Sequence, residues 1–179
     1  MLRANDTTLA IIDVQGRLAS IVQEKEALLR NLQILISGAK ILALPVLWLE
    51  QYPRGLGPTV PEVADLLPDQ EPLEKLCFSA CGQEMFPGKL RESGRRQVLI
   101  AGIETHVCVY QTTRDLLDRG FHVEVVADAV SSRTVENKEI GLTRIRDEGA
   151  AVTSVEMALF ELLRTAEAER FKEIAQLVK

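Results

Sequence analysis

The sequence has few of the residues that build metal sites and disulfide frameworks. Among its 179 residues are two histidines, His106 and His122, and three cysteines, Cys77, Cys81 and Cys108. Cys77 and Cys81 have no second pair of ligands nearby, and both histidines lie far from them in the sequence. The odd number of cysteines agrees with an intracellular protein. We therefore expect no metal site and no cofactor.

Long apolar runs and clusters of one charge are also missing. No apolar run approaches the roughly 18 residues of a membrane span. The segment from Met1 to Asp6 is short and polar, unlike a signal sequence. The net charge is −5 with a pI of about 5.2, and no group of lysines and arginines stands out. We expect a cytoplasmic protein without nucleic-acid or membrane partners.

The remaining composition is that of a folded enzyme-sized domain. Hydrophobic residues make up 46% of the chain and charged residues 26%. At this length one domain can bury a substantial core but cannot form a typical eightfold barrel. No internal repeat, low-complexity stretch or linker divides the sequence. We therefore predict a single domain over residues 1–179.

Apolar segments of strand length alternate with segments of helical periodicity. Continuous apolarity, as in TTLAIIDV, is typical of strands covered on both faces. The alternation predicts an α/β fold with a doubly wound, mainly parallel sheet and helices on both faces. The predicted strands are Thr7–Val14, Pro45–Glu50, Val98–Ala101, Phe121–Val130 (giving way to a loop at Asp128) and Ala150–Val155, with Glu74–Ala80 extended. The predicted helices are Glu24–Ala43, Gln83–Glu92, Thr105–Arg119 and Asn137–Asp147, and after the last strand the chain is helical to Val178.

The stretch RQVLIAGIETHVCVYQTT places Cys108 at a helix start, directly after a buried strand. The free N–H groups and the dipole of a helix start favour a thiolate over a thiol. A thiolate is the nucleophilic form of cysteine, so Cys108 is the candidate attacking atom. The histidine nearest to it, His106, lies two residues away and does not share its helical face.

Two further residues can join Cys108 at the carboxyl edge of the sheet. Asp13 ends the first apolar strand, and Lys75 lies in the short segment EKLCFSA. A carboxylate can accept the proton of a thiol, and a lysine near both would favour their charged forms. Taken singly, Asp13 could equally cap the following turn, and Lys75 could be an ordinary surface lysine.

Three motifs in this order resemble the isochorismatase-like, or cysteine hydrolase, superfamily, which includes nicotinamidases and N-carbamoylsarcosine amidase. They are IIDVQGRLA, EKLCFSA and AGIETHVCVYQTTRDLLDRGFHVEVVADAVSSR. The resemblance implies an Asp13–Lys75–Cys108 triad and a six-stranded parallel, Rossmann-like sheet. It also implies a cis peptide at Ile103–Glu104, with the amides of Glu104 and Cys108 as an oxyanion hole. A small-molecule substrate and a homo-oligomer are implied as well.

Departures from the family pattern argue against two of the reactions known in the family. Nicotinamidases have an Asp-x-His metal motif where this sequence reads Gln51-Tyr52-Pro53, so a metal-dependent nicotinamidase is not expected. True isochorismatases cleave a vinyl ether without a nucleophilic cysteine, and Cys108 argues against that reaction. The loop EQYPRGLGPTVPE instead resembles that of isochorismatase-domain proteins without assigned substrates.

The leading hypothesis is a hydrolase that cleaves a small amide or a related C–N bond through an acyl-enzyme on Cys108. Gln15, Gln51, Tyr52 and Phe78 are the candidate walls of its substrate pocket. One alternative is a catalytically weak or silent binding or scaffold protein that keeps the same fold. Another is a thiol redox sensor in which Cys77 or Cys81 resolves an oxidised Cys108.

Overall fold

The sheet contains six strands, all parallel to their neighbours, as the alternation of elements predicts. The structure is a computed structural model, and it describes residues 1–179. The strand order is β3-β2-β1-β4-β5-β6. The strands are β1 (Thr7–Ile12), β2 (Val46–Gln51), β3 (Leu73–Lys75), β4 (Gln97–Ile103), β5 (His122–Ser131) and β6 (Ala151–Thr153).

Helices cover both faces of this sheet, which confirms the predicted three-layer class. One hydrophobic cluster packs one face of the sheet under α2, α4, α8 and α9, and a second packs the other face under α5, α6 and α7. The α-helices are α1 (Gly16–Ala19), α2 (Lys25–Ile41), α3 (Pro53–Leu56), α4 (Pro61–Ala64), α5 (Met85–Ser93), α6 (Tyr110–Asp118), α7 (Val135–Asp147), α8 (Val155–Leu163) and α9 (Phe171–Leu177). A 3₁₀ turn spans Ala80–Gly82 and a π turn spans Thr105–Val109. None of the helices combines the length and apolarity that a membrane span requires.

The central position of strands β1 and β4 explains why their sequences are mostly apolar. Every residue of TTLAII in β1 and of QVLIAGI in β4 is buried, because both faces of the sheet are covered by helices. The chain leaves β1 toward β2 and β3, and leaves β4 toward β5 and β6 on the other side. The gap between the carboxyl ends of β1 and β4 is therefore the topological switch point, where open α/β sheets form their ligand sites.

A glycine allows β1 and β4 to approach closely at this point. Gly102 pairs with Ile12 and has a φ of +114°, in the region that favours glycine. A Cβ built on Gly102 would lie 2.1 Å from the carbonyl oxygen of Ile12. Only a residue without a side chain fits between these two strand ends.

Three predicted elements differ from the structure. The predicted loop at Asp128 is wrong: β5 continues through it to Ser131, since a register shift against β4 lets pairing resume at Val130. The predicted helix from Val155 to Val178 is broken into α8 and α9, and Arg164 ends α8 with a φ of 72°. In the segment Glu74–Ala80, only Glu74 and Lys75 belong to a strand.

The predicted helix Thr105–Arg119 has two parts. Its first turn is a π turn, in which the N–H of Val109 donates to the carbonyl of Glu104, five residues earlier. The regular helix α6 begins only at Tyr110. Single π turns of this kind are frequent at functional sites.

Candidate active site

Asp13 and Lys75 form a buried ion pair at the carboxyl edge of the sheet. Lys75 is the last residue of β3, and its side chain crosses the end of β2 to reach Asp13 after β1. The Nζ atom of Lys75 lies 2.7 Å from Oδ2 of Asp13, and neither side chain is exposed to solvent. A buried charge persists only when it is paired and hydrogen-bonded, so each of these residues requires the other.

Three more oxygen atoms accept hydrogen bonds from the Lys75 ammonium. Nζ donates to Oε1 of Gln51 at 2.7 Å, and to the carbonyls of Phe78 and Cys77 at 3.1 and 3.2 Å. The structure therefore places Lys75 in a cage of oxygens, whereas an ordinary surface lysine would be solvated. We call these four acceptors, on Asp13, Gln51, Cys77 and Phe78, the lysine cage.

The backbone at Asp13 turns sharply as it leaves β1. Asp13 has a φ of 51°, a left-handed conformation that Asp tolerates better than most residues. Burial raises the pKa of its carboxyl above the usual range, while Lys75 and the Cys108 thiol act to lower it. Its second oxygen, Oδ1, is buried without a well-aligned donor. A carboxylate whose pKa is raised binds a proton more tightly, which suits a general base.

Cys108 lies in the π turn and is 5% exposed. Burial raises the pKa of its thiol to about 12, and the nearby charge of Asp13 adds to this increase, whereas Lys75 opposes it. The expectation of a resting thiolate at a helix start is therefore wrong. Desolvation disfavours the charged form of the buried sulfur, which is the opposite of the shift expected at a helix start.

The peptide between Ile103 and Glu104 is cis in the structure. The N–H of Glu104 has no hydrogen-bond acceptor, while the carbonyl of Glu104 accepts from Val107 and Val109. The carboxylate of Glu104 is turned away into an ion pair: Oε1 accepts from both the backbone N–H and Nε of Arg133. Its charge still acts on Cys108, whose pKa it helps to raise.

The four candidate wall residues occupy different environments. Gln15 is fully buried and anchors the loop after β2, with hydrogen bonds to Gln51 and Gly57. Gln51 belongs to the lysine cage, and Phe78 contributes its carbonyl to the same cage while its ring is exposed. Tyr52 is half exposed and is the only one of the four that lines the open space next to Lys75.

That open space is a cleft of about 500 Å³ next to Lys75. Its walls combine apolar and charged side chains, which suits a small polar ligand with an apolar part. Neither Asp13 nor Cys108 is among its lining residues. The lining residues are Tyr52, Pro53, Arg54, Glu74, Lys75, Leu76, Cys77 and Gln83.

Sequence reasoning missed several residues of the site. The role of Gln51 as a partner of Lys75 depends on parallel pairing of β2 and β3, which brings these two residues side by side. Glu50, buried one residue earlier, accepts from the N–H and the hydroxyl of Thr59 and so fastens the loop after β2. Arg133, the partner of Glu104, closes the motif ADAVSSR, and its position offered no separate signal.

The other sulfur and imidazole groups do not join the triad. All three cysteines are free; Cys77 is exposed, and burial raises the pKa of Cys81 to about 11. His106 contacts Ser132, with Nδ1 3.0 Å from the hydroxyl oxygen. His122 pairs with Glu124 at the opposite end of the sheet. No group of three or more histidine, cysteine, aspartate or glutamate residues is placed to hold a metal ion.

Comparison with known proteins identifies the family of this chain. The model of the isochorismatase domain matches residues 7–157, which include all three triad candidates. The chain belongs to the isochorismatase domain family. Within this family, the secreted isochorismatase effector Isc1 of Phytophthora sojae is 40% identical over 98% of this chain and 85% of Isc1. Isochorismatase domain-containing protein 2 of Bos taurus is 38% identical over 96% of this chain and 82% of the bovine protein.

Solved isochorismatase-family folds superpose over nearly the whole chain. The MAR1 ribonuclease of Caenorhabditis elegans has a TM-score of 0.92 and 35% identity, over 99% of this chain and 91% of its own. The YcaC gene product of Escherichia coli, an octameric hydrolase of unknown specificity, has a TM-score of 0.93 and 28% identity, over 98% and 88%. YcaC of Pseudomonas aeruginosa, solved with hexane-2,5-diol and covalent acrylamide, has a TM-score of 0.91 and 28% identity, over 98% and 90%. These likenesses indicate an isochorismatase-like hydrolase.

Proposed function

We propose that this chain is a cysteine hydrolase that cleaves a small amide or a related C–N bond through a covalent intermediate on Cys108. The observation that carries the proposal is the buried Asp13–Lys75 pair beside a buried thiol. A carboxylate and an ammonium without solvent exposure are costly to fold, and perturbed groups of this kind cluster at functional sites. Family membership supports hydrolysis, and the triad supplies the mechanism.

In the first step Asp13 takes the proton of the Cys108 thiol as the sulfur attacks the carbonyl carbon. The thiol has a pKa raised to about 12, so a free thiolate is scarce at neutral pH and proton transfer accompanies attack. Burial raises the pKa of Asp13, which makes its carboxylate a stronger base than an ordinary aspartate. Lys75 stays beside Asp13 throughout, and its positive charge compensates part of the negative charge in the site.

The S–C bond forms as the carbonyl π electrons move to oxygen, which becomes an oxyanion. The N–H groups of Glu104 and Cys108 are the proposed donors to it. The free N–H of Glu104 supports this assignment, because a donor without a partner in the resting state is available to the oxyanion. Glu104 directly precedes the turn of Thr105–Val109 that contains Cys108, so both groups lie on one short segment.

Collapse of the oxyanion breaks the C–N bond, and the proton on Asp13 passes to the leaving nitrogen. The product is a thioester on Cys108 and a free amine. Water then gives a proton to Asp13 and attacks the thioester, which releases the acid and returns the proton to sulfur. One carboxylate thus acts as base and then acid in each of the two halves of the reaction.

Turnover is tested on a panel of small primary amides, carbamoyl compounds and nicotinamide, with the wild type and the variants Cys108→Ala and Asp13→Asn. We expect hydrolysis of at least one compound, with loss of about 10³-fold or more in each variant. Cys81→Ala, another buried thiol, is the control and should retain activity. Hydrolysis that persists in Cys108→Ala would falsify the assignment of the nucleophile.

Covalent chemistry is tested with acrylamide, because the Pseudomonas aeruginosa protein was solved with covalent acrylamide. Its terminal carbon bonds to the sulfur of Cys108, the C=C electrons shift to the neighbouring carbon, and that carbon receives the thiol proton. Peptide mass analysis should find the adduct on Cys108 and should find it strongly slowed by Asp13→Asn. Absence of both turnover and adduct would favour the silent binding or scaffold protein.

The names of the relatives define further compounds for the same panel. Isochorismate and RNA belong in it, since the Phytophthora sojae relative is called an isochorismatase effector and the Caenorhabditis elegans structure a ribonuclease. The net charge of −5 gives RNA no evident electrostatic attraction. Oxidation with peroxide followed by non-reducing peptide mapping tests the redox alternative, which requires a disulfide from Cys108 to Cys77 or Cys81.

We further propose that residues 1–179 act as a single domain in a cytoplasmic homo-oligomer. The octamer of the Escherichia coli relative supports self-association, and three free thiols suit a reducing compartment. Light scattering coupled to size exclusion measures the oligomer, and one cooperative unfolding transition is expected of one domain. Cell fractionation tests the compartment, because the Phytophthora sojae relative is a secreted protein.

A further inference from the structure

The loop that holds the Lys75 ammonium has few contacts of its own. Two of the four oxygens of the lysine cage are backbone carbonyls, on Cys77 and Phe78. The side chains of Leu76 and Phe78 are 75% and 55% exposed, and Cys77 is exposed as well. Apolar packing therefore does not fix these carbonyls, and their position must be set from outside the loop.

One hydrogen bond to the loop comes from β2, where Nε2 of Gln51 donates to the carbonyl of Leu76 at 2.7 Å. Ser79 supplies the first of three attachments to α6. It is buried, and its hydroxyl donates to Oδ2 of Asp115 at 2.6 Å while accepting from the N–H of Cys81 at 3.2 Å. The next residue, Ala80, donates its N–H to the hydroxyl of Thr112 at 2.9 Å. A third bond joins the guanidinium of Arg119 to the carbonyl of Cys81 at 3.3 Å.

All three attachment points belong to the helical segment that begins with the nucleophile. Thr112, Asp115 and Arg119 follow Cys108 at steps of four, three and four residues. Residues at this spacing share one face of a helix. The π turn and α6 therefore present a single line of residues. Cys108 begins this line, and the residues that hold the loop around the Lys75 ammonium follow it.

We propose that Ser79, Thr112 and Asp115 are positioning residues that fix the Lys75 ammonium relative to Cys108. They act through the loop carbonyls: hydrogen bonds to α6 fix Ser79 and Ala80, which fix the carbonyls of Cys77 and Phe78. The ammonium then lies where it favours the charged forms of both Asp13 and Cys108. This inference rests on the proposed function and adds three residues that touch neither the substrate nor the reacting atoms.

A loosened cage has a predictable effect on proton transfer. Lys75 lowers the pKa of Asp13 and that of Cys108 by its charge. When the ammonium is held less firmly, both pKa values rise, and a higher pH is needed for the same rate. The acid limb of the plot of reaction rate against pH should therefore move to higher pH. A variant that only unfolds more easily would keep the wild-type pH dependence in the molecules that remain folded.

The experiment measures the rate of acrylamide addition to Cys108 against pH, in the wild type, Ser79→Ala and Asp115→Ala. On the acid limb we expect about a tenfold lower rate in both variants, and less than about a twofold change above it. Asp118→Ala is the matched control, because Asp118 is an exposed aspartate on the same helix whose side chain pairs with Arg114. Ser79→Thr keeps the hydroxyl and should restore the profile.

Amide hydrogen exchange of residues 76–82 provides a readout that does not depend on reactivity. Exchange should accelerate in Ser79→Ala and Asp115→Ala but not in Asp118→Ala. A wild-type profile in both variants, or equal effects of Asp115→Ala and Asp118→Ala, overturns the positioning role while the triad stands. No adduct on Cys108 in the wild type overturns the proposed function and this inference together.

Discussion

The ammonium of Lys75 and the carboxylate of Asp13 meet 2.7 Å apart, although they come from strands separated in the sheet by β2. Neither side chain is exposed, so water compensates neither charge. A pair of this kind contributes little net stability compared with apolar residues, yet removing one partner leaves a buried unpaired charge. The chemistry that we propose at the neighbouring Cys108 would account for this energetic cost.

Breaking the pair from either side should destabilise the fold, and breaking both sides should recover part of the loss. We expect Lys75→Met to lower the free energy of unfolding by about 3–5 kcal/mol, with a comparable effect from Asp13→Asn. The double variant should lose less than the sum of the two. Urea unfolding at neutral pH measures all three, and strictly additive losses would contradict the coupling. Arg170→Met, at an exposed ion pair, should cost less than about 1 kcal/mol.

Alkaline pH should weaken the contribution of the Cys108 thiol to stability. Its pKa is raised from 9.0 to about 12 in the folded chain, so the folded state holds the proton more tightly than the unfolded state does. The associated stability is complete below pH 9 and is lost as the pH rises toward 12. Relative to Cys108→Ser, the wild type should lose about 1.4 kcal/mol between pH 8 and pH 10.

Unfolding curves of the wild type and Cys108→Ser at these two pH values give the difference directly. Cys77→Ser, measured in parallel, corrects for effects of alkali on the rest of the chain. A difference between wild type and Cys108→Ser that does not change with pH would mean that the thiol is not desolvated as the structure indicates.

Thiol reagents should distinguish the three cysteines by how far each thiol is exposed to solvent. A bulky, charged disulfide reagent should modify the exposed Cys77 first, because Cys81 and Cys108 are buried and both have raised pKa values. We expect one fast equivalent in the native protein and three after denaturation. Cys77→Ser should abolish the fast phase; a fast phase that survives this change and disappears in Cys108→Ser would show an open, activated thiol.

Substitution of Gly102 should be far more damaging than substitution of another glycine with positive φ. In Gly102→Ala the new Cβ meets the backbone of Ile12, and neither strand end can move without disturbing the sheet. We expect a loss of about 3 kcal/mol or more in the free energy of unfolding. Gly94→Ala, at φ +67° with no atom within 4 Å, should lose about 1 kcal/mol. Losses of equal size would exclude the close approach as the cause.

The parallel sheet could be predicted from the sequence, and so could the meeting of Asp13, Lys75 and Cys108 at one edge of it, because both depend on simple patterns. Continuous apolar runs indicated the central strands that are buried on both faces, and Asp13 and the turn before Cys108 follow two of them, whereas Lys75 ends the short strand β3. Parallel topology alone collects such ends at one edge. The π turn was not predictable, because its hydrogen bonds differ from those of an α-helix by one residue and the side-chain spacing hardly changes.

The properties of the site that depend on burial were also beyond sequence reasoning. The pKa of Cys108 follows from how closely neighbouring elements cover it, and a helix start in the sequence suggested the opposite shift. The lysine cage depends on the backbone path through Cys77 and Phe78, where no periodic pattern exists. The sequence offers Gln15 and Gln51 as candidate pocket walls, but their hydrogen-bond partners follow only from the folded structure.

The lysine cage offers four oxygens to an ammonium that has three protons to donate. One acceptor is therefore always in excess, and the surplus matters when Asp13 takes up a proton and becomes a weaker acceptor. Lys75 can then rotate its protons toward Gln51 and the two carbonyls, and every proton still has a partner. In the proposed mechanism, the charge of Asp13 can therefore change without leaving the buried ammonium short of hydrogen-bond acceptors, so the same arrangement serves both proton uptake and proton release.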